Sequence, residues 1–176
     1  MAYRVKILYI PMMMPGKNEL PLRHPSPGPR RKPESPEQAA VGEVREIYAE
    51  VARRPVERNC TRLTGCCHFA LTGRTPQLTR GEALVAARGV RAAGRKALPD
   101  RDDGACPLLR ADGACLIYHD RPFGCRTHFC AAAGGPYARA EVLDLIRRLE
   151  AVDTRLGGSG PRALGVAVAD ELQRMR

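Results

Sequence analysis

Tryptophan is absent from this 176-residue chain, and aromatic side chains of any kind are few, with three Phe and five Tyr. Its core must therefore be built mainly from Leu, Val, Ile and Ala, and a surface that stacks bases on aromatic rings has little to draw on. Long apolar runs are missing as well. Ile7 to Met14 follows Arg4 and Lys6, but Pro11 interrupts the run, Pro15 ends it, and no small-residue cleavage site follows. This pattern predicts neither a secretory signal nor a membrane span, and the expected compartment is the cytoplasm. A third absence is the C-x2-C pair that forms the tight knuckle of most structural zinc sites.

Cysteine, by contrast, is abundant and localised. All seven cysteines fall between Cys60 and Cys130. Dense thiols mean either a disulfide framework or a metal site, and a reducing compartment favours metal. An odd number also cannot pair completely.

The net charge of +10 divides into two parts. Residues 1–34 carry seven Lys or Arg against Glu19 and Glu34, and residues 60–130 carry eleven against six acids. The first excess lies in a segment with Pro15, Pro21, Pro25, Pro27, Pro29 and Pro33, which reads as a disordered basic tail after a strand-like patch from Tyr3 to Ile10. The second surrounds the cysteines, where cations lower thiol pKa values. His24, in the tail, is assigned no chemistry.

Residues 35–176 read as a single domain. Ser35, Pro36 and Gln38 form a helix start, followed by apolar residues at Ala40, Val44, Ile47, Tyr48 and Val51 and a stop near Arg53 or Arg54, before Pro55. Thr79 with Glu82 starts a second helix that ends around Gly94. Two more are expected, from about Pro136 to Val152 and from Pro161 to the C-terminus, separated by the turn Gly157-Gly158-Ser159-Gly160. That glycine run lacks the strand and the spacing of a dinucleotide fingerprint.

One sequence repeats within the domain. Asp103-Gly104-Ala105-Cys106 returns as Asp112-Gly113-Ala114-Cys115, and the second Asp-Gly lies between the runs Cys106–Leu109 and Cys115–Tyr118, which predicts a hairpin. Asp120-Arg121-Pro122 then turns the chain and can send Cys125 back toward that hairpin. The expected fold is mostly α, a small helical domain with one short β-hairpin and metal-binding loops.

The ordered set Cys60-x5-Cys66-Cys67, Leu78-Thr79-x-x-Glu82, Cys106-Pro107-Leu108-Leu109, Cys115-Leu116-Ile117-Tyr118, Arg121-Pro122 and Cys125-Arg126 with Cys130 resembles the bacterial CxxCxxCC cysteine-cluster family. The resemblance covers roughly residues 55–135. It implies a zinc- or iron-chelating domain, with flagellin lysine methylases as remote relatives. Leu63 stands where that pattern leads one to expect a further cysteine.

The residues themselves permit several donor sets. Seven thiolates and one histidine would fill two tetrahedral zinc sites, whereas four cysteines hold one iron-sulfur cluster. The gaps of five, zero, thirty-eight, eight, nine and four residues favour ligands gathered from separate loops and, by a small margin, iron-sulfur over zinc. Cys106, Cys115, Cys125 and Cys60 are the strongest candidates, then Cys66, Cys67 and Cys130. His68 and His128 could supply nitrogen or hydrogen-bond a sulfur, and His119 reads as exposed. Arg121 and Arg126 are placed to offset clustered thiolate charge.

These observations predict a metal-chelating protein in a structural, redox or metal-handling role, with no membrane association. A metal-dependent enzyme of redox or methyl-transfer type is the alternative, although no cosubstrate motif is present. Behind it stands a zinc-stabilised nucleic-acid-binding protein, against which the scarcity of aromatics argues. Thiolate–imidazole catalysis by Cys125 with His128, or Cys66 with His68, lacks a third orienting group.

Overall fold

The computed structural model describes residues 34–54, 64–130 and 133–176. The tail, the 55–63 segment with Cys60, and residues 131–132 lie outside the described residues.

Helix α1, Pro36–Arg53, begins where the sequence places it: the Ser35 side chain accepts from the Gln38 N–H at 3.2 Å, and Pro36 occupies the first turn. Its buried stripe is Ala40, Val41, Val44, Ile47, Tyr48 and Val51. A 3-10 turn at Thr64–Cys67 leads into the short helix α2, Phe69–Thr72, which ends on left-handed Gly73. Strand β1, Gln77–Leu78, precedes α3, Arg80–Ala92. After the cysteine-bearing loops come α4, Phe123–Thr127, and α5, Leu143–Arg155, then β2, Arg162–Ala163, and α6, Leu164–Arg174.

Helix α3 is the organising element. It is buried continuously from Gly81 to Ala87, as a helix enclosed on all sides must be. One side joins Leu84 and Val85 to a core with Val44, Ile47 and Val51 of α1 and Leu145, Leu149 and Val152 of α5. The other joins Ala83, Ala86, Ala87 and Val90 to Leu164, Val168 and Leu172 of α6 and to Ala105, Cys106, Leu108, Leu109 and Ile117 of the loops. The cysteine loops thus rest on one of the two apolar cores. A β-carbon at Gly81 would lie 2.7 Å from Val152 Cγ1 and 3.0 Å from Val44 Cγ2, so α3 meets α1 and α5 closely where it starts.

The structure differs from the sequence reading in the sheet, in the extent of the hairpin and in the start of the helix expected from Pro136. The two-stranded antiparallel sheet pairs Gln77 with Ala163 and Leu78 with Arg162, segments far apart in the chain. The expected hairpin is there in reduced form, as a single antiparallel bridge, Leu109↔Cys115, with Arg110 N–H to Ala114 O at 2.9 Å and Leu116 N–H to Leu108 O at 2.8 Å. Helix α5 starts later than Pro136: Tyr137 N–H donates to Thr127 O, and residues Arg139–Val142 form a 3-10 turn first.

The glycine run after α5 is a turn, with φ 68° at Gly157 and 98° at Gly160. Its Gly160 N–H donates to the buried Asp153 carboxylate, which also accepts Arg80 N–H at 2.7 Å. The loop therefore closes on a carboxylate of its own chain. No described helix is long and apolar enough to cross a membrane.

Candidate metal centre

The internal repeat is structural. In both copies the Asp carboxylate accepts the N–H two residues on, Asp103 from Ala105 at 3.1 Å and Asp112 from Ala114 at 3.0 Å, and the intervening glycine is left-handed, with φ 64° and 76°. These are Asx turns, which suit Asp followed by Gly. An arginine two residues ahead of each Asp pairs with it, Arg101 with Asp103 and Arg110 with Asp112. The repeated unit is thus Arg-x-Asp-Gly-Ala-Cys, two residues longer than the echo noted above, and identical spacing of the two arginines was the signal for it. Each unit delivers one cysteine from the end of a braced turn.

Backbone hydrogen bonds bring the first cysteine motif to this loop. Cys106 N–H donates to Cys67 O at 2.7 Å, Ala70 N–H donates to Gly104 O at 3.3 Å, and His68 pairs with Ala105 in an antiparallel bridge. Cys66 and Cys67 are thereby carried to Cys106 across the longest gap in the cysteine sequence.

Cys125 arrives on α4, whose start is fixed by Glu82. This buried side chain accepts Phe123 N–H at 2.9 Å through one oxygen and the Thr79 N–H and hydroxyl, at 3.0 and 2.9 Å, through the other. It therefore completes the capping box of α3 and anchors α4 at once. Burial raises its pKa, while these hydrogen bonds oppose the shift. Arg45 grips Asp120 through two nitrogens at 3.2 Å, holding the turn before α4 against α1. Arg126 spans back from α4, with Nε donating to Arg121 O at 2.8 Å and the guanidinium 4.2 Å from the Tyr48 ring centroid.

The six described cysteines are all free thiols. Five of them form one electrostatic group. Burial, followed by the neighbouring thiols of Cys106, Cys115 and Cys66, pushes Cys125 up to about 12. Burial pushes Cys106 up to about 11, with Cys115 adding to the effect, and also raises Cys115, which Arg121 partly counteracts. Cys67 is raised because it gives its hydrogen to Cys66, and burial and the nearby Cys106 and Cys125 act in the same direction. Cys66, exposed, is lowered to about 6, first by that hydrogen bond and then by the charges of His128 and His68.

Cys130 is exposed on the loop after α4, where its carbonyl accepts from the Ala133 and Gly135 N–H groups. His119 is exposed, with its ring edge-on to Tyr118. Arg121 lies over the Tyr118 ring at 4.1 Å and acts on Cys115 and Cys125.

The donors are soft thiols on separate loops, a set suited to zinc or iron-sulfur. Among the described residues, however, no group of three or more His, Cys, Asp or Glu side chains is gathered tightly enough to hold a metal ion. Comparison of the chain with family models, curated proteins and solved structures finds no match in any of the three.

Proposed function

We propose that the chain is a metal-chelating cysteine-cluster protein, with an iron-sulfur cluster favoured over zinc, acting in a redox or metal-handling role. The observation that carries this reading is the mutual influence of Cys66, Cys67, Cys106, Cys115 and Cys125, drawn from four separate stretches of chain.

Half-buried and buried thiols that raise one another's pKa stay protonated unless a cation joins them. A metal ion or cluster supplies the missing positive charge and displaces the protons, so binding is coupled to deprotonation. Loading would have to draw these side chains together, because among the described residues no three donors are gathered closely enough to share an ion. An iron-sulfur cluster at such thiolates supplies electron-transfer chemistry, and zinc a structural bond. The exposed, readily ionised Cys66 favours a redox or handling role over a closed structural site, because it gives the group one accessible, reactive thiolate.

The test is anaerobic purification of the full chain followed by metal analysis, sulfide analysis and a visible spectrum. Iron with acid-labile sulfide and broad visible absorbance supports the cluster; stoichiometric zinc in a colourless protein replaces it with zinc chelation. A protein that holds neither after reconstitution with each is no chelator.

A further inference from the structure

A cavity of about 480 Å³ lies beside the thiol loops, within the range of roughly 300–1,000 Å³ over which proteins bind small molecules. Pro99, Pro107 and Leu116 give it an apolar side over the buried Leu108 and Leu109, and Arg95, Arg101 and Arg110 give it a cationic one. None of the described cysteines lines it.

The three arginines differ in what they have left to offer. Arg101 is committed: Nε and Nη2 face the Asp103 carboxylate and Nη1 donates to Leu109 O at 3.0 Å. It builds the wall. Arg110 meets Asp112 through one nitrogen only. The Arg95 side chain has no hydrogen bond or ion pair to any other described residue, and it follows the end of α3, whose backbone holds it through Arg95 N–H to Val90 O. With Asp103 matching Arg101 and Asp112 matching Arg110, Arg95 is the lining arginine without a counter-ion among the described residues.

We propose that this cavity binds a small amphipathic carboxylate, its apolar body against Pro99, Pro107 and Leu116, above Leu108 and Leu109, and its head between Arg95 and Arg110. A single carboxylate equals the one uncompensated charge and matches the bidentate geometry of guanidinium. A dianionic phosphate would bring two negative charges where one is uncompensated, and so meet roughly twice the repulsion from Asp112 that a carboxylate meets. A fully apolar ligand would leave the Arg95 donors unmet. The inference is independent of whether the thiols hold metal.

The experiment uses the full chain with labelled leucine methyl groups and three probes, octanoate, 1-octanol and acetate, followed by NMR titration. Octanoate shifts the Leu108, Leu109 and Leu116 methyls saturably, while 1-octanol and acetate each bind at least about tenfold more weakly, the loss expected for a charge-assisted hydrogen bond or for the apolar body. Substituting Arg95→Ala together with Arg110→Ala reduces octanoate affinity by about tenfold or more and brings it to that of 1-octanol. Equal binding of octanoate and 1-octanol, or no saturable shift at these methyls, overturns the proposal on the unaltered chain alone. Undiminished octanoate binding by the doubly substituted chain overturns it as well.

Discussion

Cys66 and Cys125 belong to one group of thiols and are perturbed in opposite senses. Cys66 is lowered to about 6 because Cys67 gives it a hydrogen, whereas Cys125 is raised to about 12 because it is covered and surrounded by other thiols. In the metal-free protein the alkylation rate of Cys66 by iodoacetamide should follow a titration centred near pH 6, and Cys67→Ala should move that midpoint toward the ordinary thiol value of about 8.5. A midpoint near the ordinary value in the unaltered chain would show that the hydrogen bond is not made. The linkage runs both ways. Cys66, with a depressed folded pKa, contributes stability that is full above the unfolded thiol pKa of about 8.5 and is lost as pH falls from there through about 6. Cys106 and Cys125, with raised values, contribute stability that is full below the unfolded thiol pKa and is lost as pH rises toward about 11 and about 12. Metal-free protein should therefore unfold more easily in alkali, as a urea titration at several pH values would read. Glu82 is the other residue on which much converges. Glu82→Ala strips acceptors from the Phe123 and Thr79 N–H groups and from the Tyr48 hydroxyl, and should cost about 2–4 kcal/mol in urea unfolding; a loss under about 0.5 kcal/mol, the size of a neutral surface change, would mean that α4 does not depend on it.

Elements were legible where the sequence carried a start signal or a long apolar stripe. Ser35 and Pro36 mark α1, and Thr79 with Glu82 marks α3, because capping chemistry is local. The short helices α2 and α4 span four and five residues, too few to show a helical period, and their placement depends on partners far away, such as Glu82 for α4. The sheet was illegible for the same reason: two residues of β1 meet two of β2 with no shared turn. Among the site residues, the second Asp-Gly announced the turn between Cys106 and Cys115, but the Asx turns of both copies and the contact of Cys67 O with Cys106 N–H came from the structure, the last resting on a long-range pairing that spacing does not encode. The close approach at Gly81 supplies an element-scale test. Gly81→Ala pushes a methyl into Val152 and Val44, and should destabilise the domain by about 1–3 kcal/mol despite alanine's better helix propensity. A stabilised variant in thermal unfolding would contradict the packing of α3 between α1 and α5.

At the scale of the molecule, two apolar cores share α3, and the thiol loops belong to the second of them through Ala105, Cys106, Leu108, Leu109 and Ile117. Metal bound at those loops should therefore stabilise the helices as well. Removing it with a strong chelator under anaerobic conditions should lower the unfolding midpoint of the whole domain in one cooperative step, and an unchanged midpoint would separate the thiols from folding. The central claim is that cysteines remote in sequence share one bound ion or cluster. X-ray absorption at the metal edge of the anaerobically prepared full chain tests this most directly. The account predicts a first coordination shell dominated by sulfur that is lost when Cys106, Cys115 and Cys125 are replaced together by Ser; a shell of oxygen and nitrogen alone, or a sulfur shell unchanged by that replacement, would contradict it.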